Sequence, residues 1–205
     1  MPHITITDQS PNHSQPSQSL QLKISRDRVI DLGMSYLHEI GADHICKVCI
    51  SKGGSCCNGC AHLTNGVGCT LRNTSCTAWL CGFLKYVLYE TGSLQQWYDF
   101  WDQVPGKDFR VDTTPDDFFI DNPLQVRTLT GLSEALALDL KEIARAQIAV
   151  GFIFTLREKL DKNLDQFIYY KDDRVKRSRL KSRIAFLSKE FHHFHRALQE
   201  HRRQK

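Results

Sequence analysis

No apolar run in this 205-residue chain approaches the roughly 20 residues a membrane-spanning helix needs; the longest are Ala78–Leu84 and Ile148–Phe154. The opening Met1–Asp8 has no basic start followed by an apolar core, so no secretory signal is expected and the chain is read as cytoplasmic. A Gly-x-Gly-x-x-Gly turn and a phosphate-binding loop are missing, and so is a Gly-x-Ser-x-Gly nucleophile turn. His38-Glu39 is followed by Ala42 where a metalloprotease helix would place its second histidine, and no catalytic set can be assembled. Strand-type alternation is scarce, with Gln21–Ile24 and Phe109–Asp112 the only short candidates. Proline stops at Pro123, and neither a Gly-X-Y pattern nor a longer repeat occurs. Cysteine is absent from every position outside residues 46–81.

What is present describes a chain with one sizeable core. Hydrophobic residues make up 41% and charged residues 24%, which excludes a fully disordered polymer. The net charge of +4 is mild but unevenly spread: residues 171–205 carry +8 and residues 1–170 carry −4.

All eight cysteines, Cys46, Cys49, Cys56, Cys57, Cys60, Cys69, Cys76 and Cys81, fall in a 36-residue window. Such clustering can serve disulfides, thiol redox exchange or metal binding. A reducing cytosol disfavours structural disulfides. A thioredoxin-type pair belongs at a strand-to-helix junction, whereas Cys46 and Cys49 follow a helix and enter a glycine-rich loop. Metal binding fits best. Cys46-Lys-Val-Cys49 and Cys57-Asn-Gly-Cys60 are two Cys-x2-Cys knuckles, a spacing that lets two thiolates turn toward one ion. Five of the twelve glycines lie from Gly53 to Gly68, supplying the backbone freedom that a tight loop around a metal requires. Eight thiolates suffice for two Zn2+ ions, or for one [4Fe-4S] cluster with thiols to spare. His44 and His62 flank the knuckles as additional ligand candidates. Cys81, placed on an apolar helix, and one member of the adjacent Cys56–Cys57 pair are the candidates for buried, non-ligating thiols.

The run Gly54-Ser-Cys56-Cys57-Asn-Gly-Cys60-Ala-His-Leu63, then Gly68-Cys69-Thr-Leu-Arg72 and Cys76-Thr-Ala-Trp-Leu-Cys81, resembles the CxxCxxCC family of zinc- or iron-chelating domains. The resemblance covers residues 46–81. It differs from the family pattern in the six residues between Cys49 and Cys56 and in Asn73 following Arg72 where the family has Arg-Pro. The resemblance implies a metal-chelating cluster. Some members of the family are protein-lysine methylases, but nothing beyond the cysteines matches that activity here.

The remaining pattern predicts a mainly α protein, a helical bundle with an inserted Cys-rich metal-binding loop. Residues 1–20, rich in Ser, Gln, Asn and Pro, are expected to be a mobile tail. Residues 21–103 form a Cys-rich helical region, 104–130 an acidic irregular connector and 131–205 long helices. Ser25 caps a first helix that Gly41 ends. A second, strongly apolar helix is expected from Thr74 or Ser75 through Leu88, closed by Gly92. A third starts at Ser93 and stops before Pro105. Ser133 is expected to cap a long helix reaching Phe167, kinked at Gly151. Leu180, Ile184, Leu187, Phe191, Phe194 and Leu198 carry helical spacing through a last basic helix.

Asp108, Asp112, Asp116, Asp117 and Asp121 in the connector read as turn and cap residues, or as a seat for a basic segment such as the chain's own C-terminal stretch. In the basic helix, Arg174, Lys176, Arg177, Arg179, Lys181 and Arg183 could meet nucleic acid or an acidic protein, or could form a solvated face. His192, His193 and His195 could bind a metal, with His192 and His195 sharing a helical face, but on a basic helix they are read as solvated rather than as ligands. Three functions follow as expectations: a metal-stabilised structural or interaction module, a nucleic-acid-binding protein, and an iron–sulfur redox sensor or enzyme.

Overall fold

The computed structural model describes residues 21–52, 63–64, 68–69, 72–108, 111–146 and 151–204. The N-terminal tail lies outside the described residues. The protein is mainly helical, with nine helices and three two-stranded pairings among those residues.

The first strand, β1 (Leu22–Ser25), runs straight into α1 (Arg26–Glu39). Ser25 caps α1 by accepting from the Arg28 amide, a bond of the kind that contributes about 1 kcal/mol. Gly41 then turns the chain with φ of +74°, a left-handed conformation suited to glycine. A Cβ there would also stand 2.9 Å from the Thr130 Cα, because the end of α1 docks onto the start of α6 (Thr130–Ala146). Glu39 O accepts from the Leu129 amide and the Thr130 hydroxyl, and the Ser133 hydroxyl donates to Ile40 O. Ser133 therefore sits inside α6 as a tertiary tether, not at its cap.

After α2 (Ala42–Ile50) come β2 (Leu63–Thr64) and β3 (Gly68–Cys69), paired antiparallel with Leu63 opposite Cys69. The single helix expected after Thr74 is two: α3 (Thr74–Ala78) and α4 (Gly82–Glu90), separated by an extended Trp79–Cys81 link. The reason lies across the fold. The Trp97 indole N–H, on α5 (Leu94–Trp101), donates to Ala78 O at 2.9 Å and takes the carbonyl that a continuous helix would offer to residue 82. Ser93 stands at the N-cap of α5 as expected, but without a side-chain cap bond.

The connector is more ordered than its composition suggests. It holds β4 (Lys107–Asp108), β5 (Val111–Asp112) and β6 (Asp117–Ile120). β6 pairs antiparallel with β1, Ile24 facing Phe118, which tucks Phe118 and Ile120 inward while Phe119 stays exposed. Asp116 and Asp117 hold Arg26 at 2.9 Å and Lys23 at 3.2 Å. The acidic stretch thus seats the first strand and helix rather than the C-terminal basic segment.

The later helices also divide. The long helix expected through Phe167 is α6 and α7 (Phe152–Tyr169), with Gly151 at the N-cap of α7. The basic helix is α8 (Arg174–Leu187) and α9 (His192–Arg203). The Ser188 hydroxyl and amide both bond back to Ile184 O and close α8. The N-terminus of α9 is capped by a residue distant in sequence, Asp139 of α6, whose two oxygens accept from the His193 and Phe194 amides at 2.9 Å each.

At the centre lies α4, buried continuously from Gly82 to Leu88. Such an all-round buried helix must be covered on every side. It is packed by α7, α5 and α2, while α6 packs on α2 and α9. The regions 21–103 and 131–205 consequently share one core. Lys85, in the middle of α4, is met at 2.7 Å by both Asp161 and Asp165 of α7. Tyr98 of α5 donates to Asp165 at 2.7 Å, and burial together with that carboxylate pushes its phenol above the usual range. Burial also pushes the Asp161 carboxyl up, against the opposing pull of Lys85.

The α4–α7 crossing is so close that a Cβ on Gly82 would overlap the Arg157 carbonyl oxygen and stand 2.5 Å from the Asp161 amide nitrogen. Both are backbone atoms that cannot step aside. Gly82→Ala should therefore destabilise the protein by at least about 2 kcal/mol, in the range of core overpacking. That corresponds to a fall in Tm of about 5 °C on calorimetric or circular-dichroism melting; an unchanged Tm would show that the helices separate at no cost.

Candidate metal centre

The first knuckle is not in a loop. Cys46 and Cys49 lie on α2, three residues apart and so on neighbouring positions of one helical face. Ile45, Val48 and Cys49 are buried, and Cys46 is half-buried at the edge of that face. Cys81 is not within an apolar helix either. It occupies the N-cap of α4, held extended by the Trp79–Cys81 link, and is buried. The positive end of a helix favours negative charge at that position.

These two departures put residues from opposite ends of the Cys-rich segment on the wall of one cavity. Cys46 and Cys81 line the same small cavity, about 120 Å³, with His38, Asp43, Arg72 and Trp79 on its walls. Cys49 follows Cys46 along α2. Cys76, on α3, is half-buried, and its amide is taken by the Asn73 side chain, which caps that helix at 2.8 Å. Arg72 reaches Cys76 O at 3.4 Å. For Cys69 the backbone alone is placed, in β3 opposite Leu63. Cys56, Cys57, Cys60 and His62 lie outside the described residues. Among the described residues, no three cysteines place their sulfurs within 4.8 Å of one another. His44 points elsewhere: its Nε2 is 3.3 Å from Glu134 of α6.

The position of α3, and with it the link to Cys81, is set by Asp112 of β5. This carboxylate accepts from the Thr74 amide at 2.9 Å, the Thr74 hydroxyl at 2.8 Å and the Thr114 amide at 3.0 Å. Partial burial works against the charge, but these donors outweigh it and hold the carboxyl below its ordinary value of 3.8. Asp112 thus acts across the fold at the start of α3, a role that a sequence of scattered aspartates does not reveal.

A second group has metal-like composition. Asp139, Glu142 and His193 each bring a ligand-type atom within 4.8 Å of the others. The signal for this group in the sequence is the Asp139/Glu142 spacing of three, which puts both carboxylates on neighbouring positions of α6. The geometry assigns this group a structural task. Both Asp139 oxygens are committed to the α9 N-terminus, and His193 lies between Glu142 at 3.1 Å and Arg196 at 3.2 Å. His192 and His195, expected to share a face, are held separately by Glu190 at 3.4 Å and by the Tyr86 hydroxyl at 3.0 Å.

On α8 only Leu180 and Ile184 are buried. Lys176 pairs with Asp173 at 3.4 Å, and the Arg177 guanidinium stacks 3.9 Å from the Phe167 ring centre. Arg174, Arg179, Lys181 and Arg183 are exposed and make no ion pair among the described residues. Helical spacing puts Arg174 and Lys181 on one side of the buried stripe and Arg179 and Arg183 on the other, so the charge surrounds the helix instead of forming one face.

No family model, curated protein or solved structure matches the chain.

Asp112 yields a pH prediction. Because its folded pKa is depressed, its stabilisation is complete above the unfolded aspartate pKa of about 3.9 and is lost as pH falls through the folded value. Asp112→Asn should cost about 1–3 kcal/mol at neutral pH, the range for charged hydrogen bonds. In urea titrations the gap between variant and wild type should close as pH falls below the unfolded aspartate value of about 3.9. A gap independent of pH would show that the charge is not what holds α3.

Proposed function

We propose that the chain is a metal-stabilised module in which the cysteines of the 46–81 segment hold a zinc ion or an iron–sulfur cluster. The observation that carries this reading is the meeting of Cys46 and Cys81 in one small cavity, since these residues bracket the Cys-rich segment in sequence. The donor chemistry suits the group: soft thiolates from α2, a thiol at a helix N-terminus and a second Cys-x2-Cys between them match zinc and iron–sulfur ligation. The resemblance to the CxxCxxCC family supports the same chemistry. Cys46 and Cys81 would provide ligands from the helical scaffold, and Cys57 and Cys60 would complete the set. Bound metal would tie the segment to α2 and α4, so its binding free energy would add to folding.

Anaerobically purified protein should contain zinc, or iron and sulfide with the visible absorption of a cluster. A chelator, or Cys57→Ser combined with Cys60→Ser, should lower the Tm by about 10 °C, corresponding to about 4 kcal/mol of lost linkage. Metal-free protein whose Tm ignores both treatments would refute the reading.

A second reading rests on α8. Its four exposed cations, which make no ion pair among the described residues, would meet phosphates of a nucleic acid and release counterions. No helix among the described residues is long and apolar enough to cross a membrane. Duplex DNA binding measured against salt should then show a log–log slope no steeper than about −4. Arg179→Glu with Arg183→Glu should make it shallower by about two. Absence of binding at low salt would remove this reading and leave the metal reading untouched.

A further inference from the structure

Two adjoining recesses, of about 340 and about 500 Å³, open along the seam between α7 and α8 and share Lys159, Phe186 and Leu187 as a common wall. Together they make one groove, which continues between α6 and the link from α8 to α9. Both volumes fall in the range of small-molecule sites. On α7 the wall residues run from Phe152 to Asn163, a length of about 16 Å along the helix axis. The shape is that of a long, narrow guest.

The apolar surface of the groove is open to contact. Phe152 and Phe186 are 39% and 68% exposed, and Ile143 and Leu187 are half-buried beside them. Exposed apolar surface gathered in a concave strip marks a binding site more often than scattered single residues do.

The charges on the walls are divided by position. Towards α9, Asp139 is committed to the amides of that helix, Glu142 faces His193 at 3.1 Å, and Glu190 is shared by Lys189 at 3.6 Å and His192 at 3.4 Å. Towards the middle of α7, Lys159 and Arg183 are exposed and make no ion pair among the described residues. Long basic side chains lay their stems on apolar surface and keep the charge at the water edge. The uncompensated charge of the groove is thus positive and sits at one end of an apolar strip.

We propose that this groove binds a free long-chain carboxylate, its head group held between Lys159 and Arg183 and its alkyl chain lying along Leu187, Phe186 and Phe152 towards Ile143. None of these residues lines the cysteine cavity, so the proposal stands apart from the metal reading.

Titration calorimetry of the full chain, with amphiphiles kept at monomeric concentrations, tests it. Dodecanoate should bind saturably with a dissociation constant below about 1 mM. From octanoate to decanoate to dodecanoate, each two-carbon step should tighten binding at least threefold, with about tenfold the value for complete burial. Dodecyltrimethylammonium, with the same chain and the opposite charge, should bind at least about fivefold more weakly than dodecanoate. Phe186→Ala should weaken dodecanoate about fivefold, and Lys159→Glu about fivefold. Both side chains are exposed, so circular dichroism should show both variants folded. Lys159 lies on α7, so its variant leaves every cation of α8 in place for nucleic acid. No saturable binding of dodecanoate, no gain with chain length, or equal binding of the cationic amphiphile would overturn the proposal. Unchanged affinity in both folded variants would place the chain elsewhere and overturn it too. Binding to dioleoylphosphatidylglycerol vesicles without binding to dodecanoate would mark a lipid surface as the partner, with the same consequence.

Discussion

Lys85 on α4 places an ammonium group where a bundle normally puts a methyl, and two aspartates of α7 neutralise it at 2.7 Å. Such an arrangement gains little net stability over an apolar packing, yet removing one partner leaves an uncompensated charge in the core. It therefore dictates register: α4 and α7 can cross only where Lys85 finds Asp161 and Asp165, and only at the backbone separation that Gly82 allows. Cys81, one residue before Gly82, is positioned by that same crossing.

From this crossing the candidate metal centre is built outward in both directions. On one side Asp112 holds the start of α3, and the Trp97 indole stops that helix at Ala78, which extends the chain into Cys81. On the other, the left-handed turn at Gly41 and the Ser133 tether fix α2 against α6 and present Cys46 to the same cavity. The cavity that Cys46 and Cys81 line is shaped by polar contacts that are themselves remote from the cysteines in sequence.

That remoteness explains what could be read from residue order. Local signals were legible: the Ser25 cap, the Gly41 stop, the apolar stretch that becomes α4, and the crowding of cysteine into one segment. The helix breaks were not, since each depends on a partner far along the chain: Trp97 for the end of α3 and Asp139 for the start of α9. The leucine and phenylalanine spacing from Leu180 to Leu198 stays helical across Ser188–Phe191, so periodicity alone cannot reveal that α8 ends there. β6 escaped notice because Asp117-Phe-Phe-Ile shows too short an alternation to be distinctive until β1 pairs with it. The Cys46–Cys49 spacing suggested a loop knuckle, whereas the same interval also fits one helical turn. Spacing announces chemistry here but leaves the backbone that carries it undetermined.

The borrowed cap on α9 has a consequence for assembly. This helix spans twelve residues, His192–Arg203, near the lower limit at which an isolated helix persists in water. Its first turn has no side-chain cap from its own N-cap residue, Phe191, and relies on a carboxylate supplied by α6. The first turn of this stretch thus depends on docking against α6, and loss of order in α6 would take away the cap that α9 borrows.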